Sequence, residues 1–325
     1  MRSIRALCAT LAAAIAATLA MPAAARDYPT RSILVVSPFA AGAANDIVAR
    51  LLLDNVGQQL GQAFVVENRP GGGGTVGVAS VVRAEPDGYT LLYHSVTGIT
   101  HAAVTANLSY DWLRDLAPVS LVTRFAPVMV VSPNLPVKDM KDFIALLKAN
   151  PGKYSYGSSG TGTAVHLATE LFKQKAGVDI VHVPYRGTIA VLPDLMSGRV
   201  LMMIDGVPAE AKNIQIGTVK ALAVTTAERS PALPDVPTMK EVGLDYEVPF
   251  WTGIYAPIRT PTAVVDRLAA AIHQVVHDAE VTKKLAAIGT EGVGSIPAEL
   301  DAATREQFAM YRAIVKDNPA LLNAQ

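Results

Sequence analysis

The segment Ser158–Thr163 reads SSGTGT and combines hydroxyl side chains with two glycines immediately before a predicted helix. Gly160 and Gly162 allow the backbone to turn its N–H groups toward a ligand, because glycine adopts conformations closed to other residues. The helix predicted over Thr163–Lys175 adds unpaired N–H groups and the positive end of its dipole. Such a loop binds a carboxylate or another oxyanion without any cation, although an ordinary capped turn uses the same residues. We call Ser158–Thr163 the second loop, because another candidate loop precedes it in the chain. Its candidate ligand contacts are Ser158, Gly160, Thr161, Gly162 and Thr163.

An opening loop of the same type, Pro38–Asp46, reads PFAAGAAND and follows the pattern of a buried strand. Gly42 permits close approach of the backbone, and Asn45 is predicted to cap the helix that follows. Asp46 falls in the first turn of that helix, where a carboxylate suits the dipole, and we favour a capping role over direct ligand contact. The candidate contacts in the opening loop are Phe39, Ala40, Gly42, Ala43, Asn45 and Asp46.

Two further loops are predicted at strand ends, at His94–Gly98 and Asp205–Pro208. Ligands of open parallel sheets bind beyond the carboxyl ends of the strands, so both loops are expected to reach the same site. Ser95 and Thr97 are candidate contacts in the first of them. Asp205 either accepts a hydrogen bond from a ligand hydroxyl or ammonium or pairs with neighbouring backbone N–H groups, and both interpretations stay open.

Motifs of other functions are missing or misplaced in the sequence. Gly72–Gly77 fits G-x-G-x-x-G, but several residues separate it from the preceding strand, and the next strand ends in His-Ser instead of an acid. That context argues against dinucleotide binding. No nucleophile elbow, Ser-x-x-Lys or His-Glu-x-x-His pattern occurs, so the sequence offers no support for an enzyme.

The six histidines show no metal-ligand pair on a helix predicted at the site. His273 and His277 are four residues apart, but we assign them to a solvated helix face. His166 is assigned to the surface, away from the apolar positions of its helix. His94 ends a strand and is expected to line the cleft. No metal and no cofactor are therefore predicted.

The chain has 325 residues, with 28 Lys and Arg against 28 Asp and Glu, so its formal net charge is zero. This balance disfavours nucleic acid, which needs a basic surface, and the length suits two domains. Residues 1–25 carry Arg2 and Arg5, an apolar run and an Ala-x-Ala site, which predict a secretory signal peptide cleaved after about Ala25. The single cysteine, Cys8, falls inside this segment, so the exported protein is predicted to lack disulfides.

Short apolar runs alternate with segments of helical period along the rest of the chain. After the run SILVVS, for example, Val48, Leu52, Val56 and Leu60 recur every four residues and predict one helix face. This alternation predicts an α/β protein whose two lobes each contain a mostly parallel sheet flanked by helices. The predicted divisions are domain 1 from residues 26–126 and 249–325, domain 2 from residues 127–248, and C-terminal helices at Thr262–Asp278 and Pro297–Lys316.

Seven collinear segments resemble the Bug-type, TctC-like substrate-binding proteins of tripartite tricarboxylate transporters. They run from Tyr28 onward and read YPTRSILVVSPFAAGAANDIVARLL, GQAFVVENRPGGGGTVG, PDGYTLL, YSYGSSGTGTAVHLA, HVPYRGT, ALAVTTAERSPALPDVPTMKEVG and WTGIYAPIRTP. The resemblance implies a periplasmic binding protein with a two-lobed, type II-like venus-flytrap fold.

The resemblance also implies a site and partners. Two loops of such proteins hold a ligand carboxylate through backbone N–H groups, hydroxyls and ordered water, and here they correspond to Phe39–Asp46 and Ser158–Thr163. The implied ligands are di- or tricarboxylates, acidic amino acids or aromatic acids, and the implied partners are two integral membrane permease subunits. The opening loop departs from the usual Pro-Phe-Pro-Pro-Gly-Gly at Ala40, Ala41 and Ala43, which predicts a looser loop.

The sequence therefore predicts a monomeric, periplasmic solute-binding protein that captures a small carboxylate and is not an enzyme. A ligand-sensing periplasmic receptor of a signalling system is an alternative. A periplasmic hydrolase on the same scaffold is a second alternative with less support.

Overall fold

The computed structural model describes residues 28–105 and 107–317, which form two β-sheets flanked by helices; the signal peptide expected at residues 1–25 lies outside them. The strands are β1 (Ile33–Ser37), β2 (Phe64–Asn68), β3 (Thr90–Ser95), β4 (Leu116–Phe125), β5 (Pro127–Val131), β6 (Ser155–Ser158), β7 (Val181–Pro184), β8 (Met202–Gly206), β9 (Lys220–Val224), β10 (Phe250–Pro257) and β11 (Thr290–Gly292). The six-stranded first sheet has the order β11-β4-β10-β3-β1-β2, and the five-stranded second sheet has the order β7-β6-β8-β5-β9.

Helices cover both sheets and join the parallel strands. They are α1 (Ala44–Leu60), α2 (Thr75–Val82), α3 (Val96–Val104), α4 (Trp112–Asp115), α5 (Met140–Ala149), α6 (Ala164–Ala176), α7 (Leu192–Ser197), α8 (Val207–Gln215), α9 (Thr262–Val276), α10 (Ala279–Ala287) and α11 (Pro297–Asp317), with single 3₁₀ turns at Gly72–Gly74 and Thr188–Val191. Within the described ranges, no helix combines the length and the apolar character that a bilayer span requires.

The two-sheet α/β class expected from the sequence is confirmed, since four of the six strands in the first sheet and four of the five in the second run in the same direction. β1 pairs in parallel with β2 and β3, and β6 pairs in parallel with β7 and β8. β10 is antiparallel to β3 and β4, and β5 is antiparallel to β8 and β9. These two strands are the first after each change of sheet. A strand that arrives from another sheet does not follow a βαβ crossover, so nothing forces it to run parallel to its neighbours.

The chain changes sheet twice. Only Ala126 separates β4 in the first sheet from β5 in the second, and the return from β9 to β10 takes the irregular stretch 225–249. The domain boundaries given above stay predictions, although both changes of sheet fall close to them.

Helix α1 is anchored by one apolar face, as its four-residue period predicts. Val48, Leu52 and Val56 are fully buried in a core shared by the first sheet and α9. Burial of each such side chain contributes roughly 1.5–3 kcal/mol, so this face fixes where the first turn of α1 lies. The helix ends at Gly61, whose φ of 69° is a left-handed conformation that glycine adopts without strain.

The C-terminal region is more finely divided than the sequence predicts. The helix expected over Thr262–Asp278 ends at Val276, and a separate helix, α10, follows it. Asp278 caps α10, because its carboxylate accepts the backbone N–H groups of Glu280 and Val281. The strand β11 then joins the edge of the first sheet before the long helix α11 begins at Pro297.

Candidate ligand-binding site

A cavity of about 480 Å³ lies between the two sheets, where parallel strands of both sheets end. Its volume falls within the range of about 300–1,000 Å³ that is usual for small-molecule sites. The walls come from the carboxyl ends of β1, β2, β3, β6, β7 and β8 and from the loops that follow them. This position agrees with the general rule for ligand sites in open α/β sheets.

The residues proposed from the sequence divide into two groups. Those that line the cavity are Phe39, Ala40, Ala43, Asn45, Ser95, Thr97, Gly160, Thr163 and Asp205. Those that lie outside its lining are Gly42, Asp46, Ser158, Thr161 and Gly162. A role of the second group as direct ligand contacts stays a prediction. Most of these residues instead form hydrogen bonds that hold the two loops.

The N-termini of α1, α3 and α6 meet at the cavity. The start of α8 is different, because Val207 donates its N–H to the Ala126 carbonyl oxygen at 2.9 Å and Pro208 has no N–H to offer. The first N–H groups of a helix have no partner inside the helix, so such ends attract anions. Ser95 and Thr163 cap α3 and α6 with their hydroxyls, whereas Ala43, at the start of α1, provides no side-chain cap. The cavity therefore has a positive backbone potential that owes nothing to lysine or histidine.

The carboxylate of Asp46 holds the opening loop. Its Oδ2 accepts the Gly42 N–H at 2.9 Å and Arg50 Nε at 3.1 Å, and its Oδ1 accepts Asn68 Nδ2 at 2.7 Å. Asn68 also donates to the carbonyl oxygen of Phe39 at 3.0 Å. Burial alone would raise the pKa of Asp46, but the hydrogen bonds from Arg50, Asn68 and Gly42 outweigh it and lower the pKa. The structural role favoured for Asp46 is thus the one its contacts support.

The cap of α1 differs from the residue expected. Ala43, with φ −65° and ψ 159°, is the N-cap, and Asn45 lies inside the first turn. The left-handed residue of the loop is Gly42, with φ 82°. Alanine at position 43 therefore costs nothing in backbone strain, since its conformation is open to every residue. Asn45 instead turns its side chain toward the cavity, and its Oδ1 has no partner among the described residues.

The second loop closes on itself and on α3. Gly160 and Gly162 have φ of 130° and 75°, and Thr163 donates its hydroxyl to the Gly160 carbonyl oxygen at 2.7 Å. Two hydrogen bonds then link this loop to the first-sheet side: Thr100 Oγ1 donates to the Gly162 carbonyl at 3.0 Å, and the Ala164 N–H donates to Thr97 Oγ1 at 3.3 Å. The loop thus joins the two sides of the cavity.

The sequence analysis missed the segment Tyr185–Thr188, which lines the cavity after β7. Arg186 is the lining residue with a positive charge, and it takes part in none of the ion pairs found within the described ranges. The second loop itself contains no cation, as its sequence shows, but the cavity that it lines does contain one. The signal was present in the segment HVPYRGT, a strand followed by a basic residue and glycine, but charge alone did not distinguish it from a surface arginine.

The glycine run after β2 also lines the cavity, although it was considered only as a nucleotide motif. Gly71–Gly74 form part of the wall, and two of these glycines pack against histidine rings. A Cβ at Gly73 would lie 2.2 Å from the His101 ring, and one at Gly74 would lie 2.8 Å from His94 Nε2. Glycine is required here because the backbone approaches these rings so closely.

His94 lies behind the cavity wall instead of lining it. Its ring is fully buried between Phe39 and Trp112, with centroid distances of 4.9 and 5.3 Å. Its Nδ1 accepts the Ser95 N–H at 2.9 Å. Burial, with a smaller effect of His101, lowers the pKa of His94 to about 3, so the ring is neutral.

The surface position expected for His166 is wrong, because the residue is 2% exposed. Its ring stacks on His182, 4.0 Å away, and its Nδ1 accepts the Gly162 N–H at 3.1 Å. Burial, followed by the charge of Lys173, lowers the pKa of His166 to about 4. The neighbouring His182 bonds through Nε2 to Ser158 Oγ at 2.6 Å, so this pair supports the second loop from below. The exposed positions expected for His273 and His277 are confirmed.

Asp205 ends β8 at the cavity wall and is 5% exposed. Its Oδ1 accepts the Gly206 N–H at 2.8 Å, whereas its Oδ2 has no hydrogen-bond partner among the described residues. Burial raises the pKa of Asp205, and burial together with the charge of Asp205 raises the pKa of Glu210 on α8. Of the two interpretations of Asp205, backbone pairing thus accounts for one oxygen only.

Several solved structures share this architecture. A periplasmic transporter protein has 40% sequence identity and a TM-score of 0.86, covering 89% of this chain and 97% of its own. Rpa4515 of R. palustris with adipate has 35% identity and a TM-score of 0.85, with coverages of 89% and 97%. MatC (Rpa3494) from Rhodopseudomonas palustris with bound malate has 31% identity and a TM-score of 0.83, with coverages of 89% and 100%.

Fold and cavity together define a solute-binding protein of the periplasmic binding-protein class. Within that class, residues 48–319 match the tripartite tricarboxylate transporter family receptor, TctC, and the protein belongs to this family. The resemblance drawn from the sequence segments is confirmed.

Asp46→Ala is expected to destabilise the fold by roughly 2–4 kcal/mol, since it leaves the Gly42 N–H and Asn68 without their buried acceptor. The measurement is the free energy of unfolding in urea. Asp54→Ala, an exposed acid on the same helix, is the matched control and should change stability by less than about 0.5 kcal/mol. Equal effects of the two substitutions would contradict the role of Asp46.

The neutral state of buried His166 makes stability depend on pH. Because the pKa is lowered in the folded protein, the contribution is complete above the unfolded value near 6.5 and is lost as pH falls toward about 4. Between pH 7 and pH 4, His166→Gln should therefore lose less stability than the parent protein. The difference between the two losses should be at most about 3 kcal/mol. Urea unfolding at several pH values measures this difference. His277→Gln, at an exposed site, should follow the parent, and a His166→Gln profile that also follows it would refute the interpretation.

Proposed function

We propose that the protein captures a small carboxylate in the cavity between its two sheets and delivers it to the membrane subunits of a tripartite tricarboxylate-type transporter. The observation that carries this proposal is the convergence of the N-termini of α1, α3 and α6 on one cavity that also contains Arg186. Helix N-termini and a guanidinium are both donors to a carboxylate, and the guanidinium can bind it in bidentate fashion.

The relatives support the class of ligand. Adipate and malate, bound to the two R. palustris proteins, are both small dicarboxylates. A cavity of about 480 Å³ has room for molecules of this size. The chain and those proteins share their fold over nearly their whole lengths, so a carboxylate is the first ligand class to test.

We further propose that the protein is exported to the periplasm after cleavage near Ala25, that it acts as a monomer, and that its partners are two integral membrane permease subunits. Domain 1 would comprise residues 26–126 and 249–325, and domain 2 residues 127–248. Closure of these domains over the ligand would create a joint surface for the permease. Membership of a transporter receptor family supports this assignment over a sensory role.

We propose that the protein has no catalytic activity. The pair that comes nearest to a catalytic arrangement is Ser158 with His182, whose Oγ and Nε2 atoms are 2.6 Å apart. Ser158 is fully buried and does not line the cavity, so its hydroxyl is unable to reach a bound molecule. The hydrogen bond is better explained as support for the second loop.

A thermal-shift screen tests the ligand class directly. A bound carboxylate should stabilise the mature protein by RT ln(1 + [L]/Kd), about 2.7 kcal/mol at a hundredfold excess over Kd. The screen compares adipate, malate, succinate, citrate, glutamate and benzoate with a neutral sugar and with calcium chloride. Stabilisation by the sugar or by the calcium ion, with none by any acid, would refute the proposal.

Arg186→Gln should weaken carboxylate binding by about ten- to a hundredfold, because one charge-assisted hydrogen bond contributes roughly 1.5–3 kcal/mol. Calorimetric titration with the best acid from the screen measures the change in Kd. Arg124→Gln removes an exposed arginine of β4 that does not line the cavity and is the matched control. If both variants bind like the parent, Arg186 is not a ligand contact.

A further inference from the structure

We propose that Asp205 selects, among small carboxylates, those that also carry a hydrogen-bond donor on their carbon body, an ammonium or a hydroxyl group. This inference rests on the proposed function of the cavity. The negative carboxylate of Asp205 would then recognise the ligand together with the positive helix N-termini. The ligand would be an amino acid or a hydroxy acid.

The first argument is the unpaired oxygen of Asp205. The residue lines the cavity and is only 5% exposed, and the Gly206 N–H at 2.8 Å satisfies Oδ1 alone. Oδ2 has no hydrogen-bond partner among the described residues. A buried carboxylate oxygen without a donor is costly, so buried polar groups of this kind nearly always have a partner. The Thr188 hydroxyl is close enough to lower the pKa of Asp205, and a donor on a ligand in the cavity is the further partner that would satisfy Oδ2.

The second argument is the charge state. Glu210, buried on α8 behind β8, accepts a hydrogen bond from Asn213 Nδ2 at 3.1 Å and interacts with Asp205. Burial raises the pKa of both acids, and the charge of Asp205 raises that of Glu210 further. The proton that such a pair retains therefore resides on Glu210. Asp205, assisted by the Gly206 N–H and the nearby Thr188 hydroxyl, remains the carboxylate that accepts.

The cavity also contains groups of opposite charge. Arg186 is its cation and Asp205 its anion, and Asp205 reaches the cavity from β8 close to the start of α1. This closeness follows from the packing at Gly206, where a Cβ would lie 3.0 Å from the Ala44 side chain. A ligand carboxylate is repelled by Asp205 and attracted by Arg186 and the helix ends. A bound acid is therefore oriented with its carbon body, and any donor on it, toward Asp205.

A plain dicarboxylate leaves this acceptor unsatisfied, whereas an ammonium or hydroxyl pairs with it. Sites built to hydrogen-bond a polar group discriminate strongly against the analogue that lacks it, because their own buried group is then left unpaired. The alternative occupant of the position is an ordered water, which would serve ligands with and without a donor equally well.

The test uses ligands matched in length. Calorimetric titration of the mature protein compares succinate with malate and aspartate, adipate with 2-hydroxyadipate and 2-aminoadipate, and propionate with lactate and alanine. In the series that fits the cavity, the hydroxy or the amino acid should bind at least about tenfold more tightly than the acid without a donor. The stronger of the two identifies the donor as hydroxyl or ammonium.

Substitutions assign the preference to Asp205. Asp205→Asn is nearly isosteric and replaces one acceptor with an N–H donor, so the ratio of affinities should fall to about one or reverse. Glu210→Gln keeps the Asp205 carboxylate and removes only the buried neighbour, so the ratio should be preserved. If the Asp205→Asn variant keeps the same ratio of affinities as the parent protein, the proposal is overturned, even if that ratio is large.

The outcomes separate this inference from the proposed function. Tight binding of acids with and without a donor at equal affinity leaves the carboxylate function intact and refutes the role of Asp205, with water as the partner of Oδ2. Failure of every acid to bind refutes both. If Asp205→Asn does not fold, the ligand series on the parent protein and on Glu210→Gln still decides.

Discussion

Backbone N–H groups in the first turn of a helix need a partner, and this protein brings several such turns to one cavity. The βα units of both sheets end on the same side, so α1, α3 and α6 all begin there. Ser95 and Thr163 satisfy part of this need with their hydroxyls. The rest is left to whatever occupies the cavity. A bound anion would thus supply the hydrogen-bond acceptors that these helix N-termini lack.

The loops that carry these helix ends are held in place by residues located outside the cavity. Asp46 ties the opening loop to Arg50 and Asn68, and His166 ties the second loop through the Gly162 N–H. Neither residue lines the cavity. A recognition surface made of backbone atoms depends on such supports, because its side chains are too small to fix their own positions. Alanine is tolerated in the opening loop for the same reason, since Asp46 and Gly42 already determine its path.

The sequence predicted the local features well and the contacts between distant segments poorly. The face of α1 with Val48, Leu52 and Val56 and the two loops before α1 and α6 follow from period and capping chemistry, which act within a few residues. His166 was misplaced because its burial depends on Tyr156 and His182, which reach it only when β6 and β7 pair. Arg186 was missed because it is an exposed arginine, and only the fold brings it to the edge of the cavity. The directions of β5 and β10 likewise depend on which sheet each strand joins.

Thr97 belongs to the cavity wall, yet its hydroxyl also accepts the Ala164 N–H from the opposite side, and Thr100 makes a parallel link to Gly162. Under the domain closure proposed above, these links would contribute to the balance between open and closed forms before any ligand arrives. Stronger links would favour the closed form without ligand and so raise the apparent affinity. A protein that is mostly closed, however, would admit its ligand slowly. Two threonine hydrogen bonds of ordinary strength therefore suit a protein that has to release its ligand as well as bind it. Substitutions at Thr97 and Thr100 would change the residence time of the ligand without altering the charged groups of the cavity.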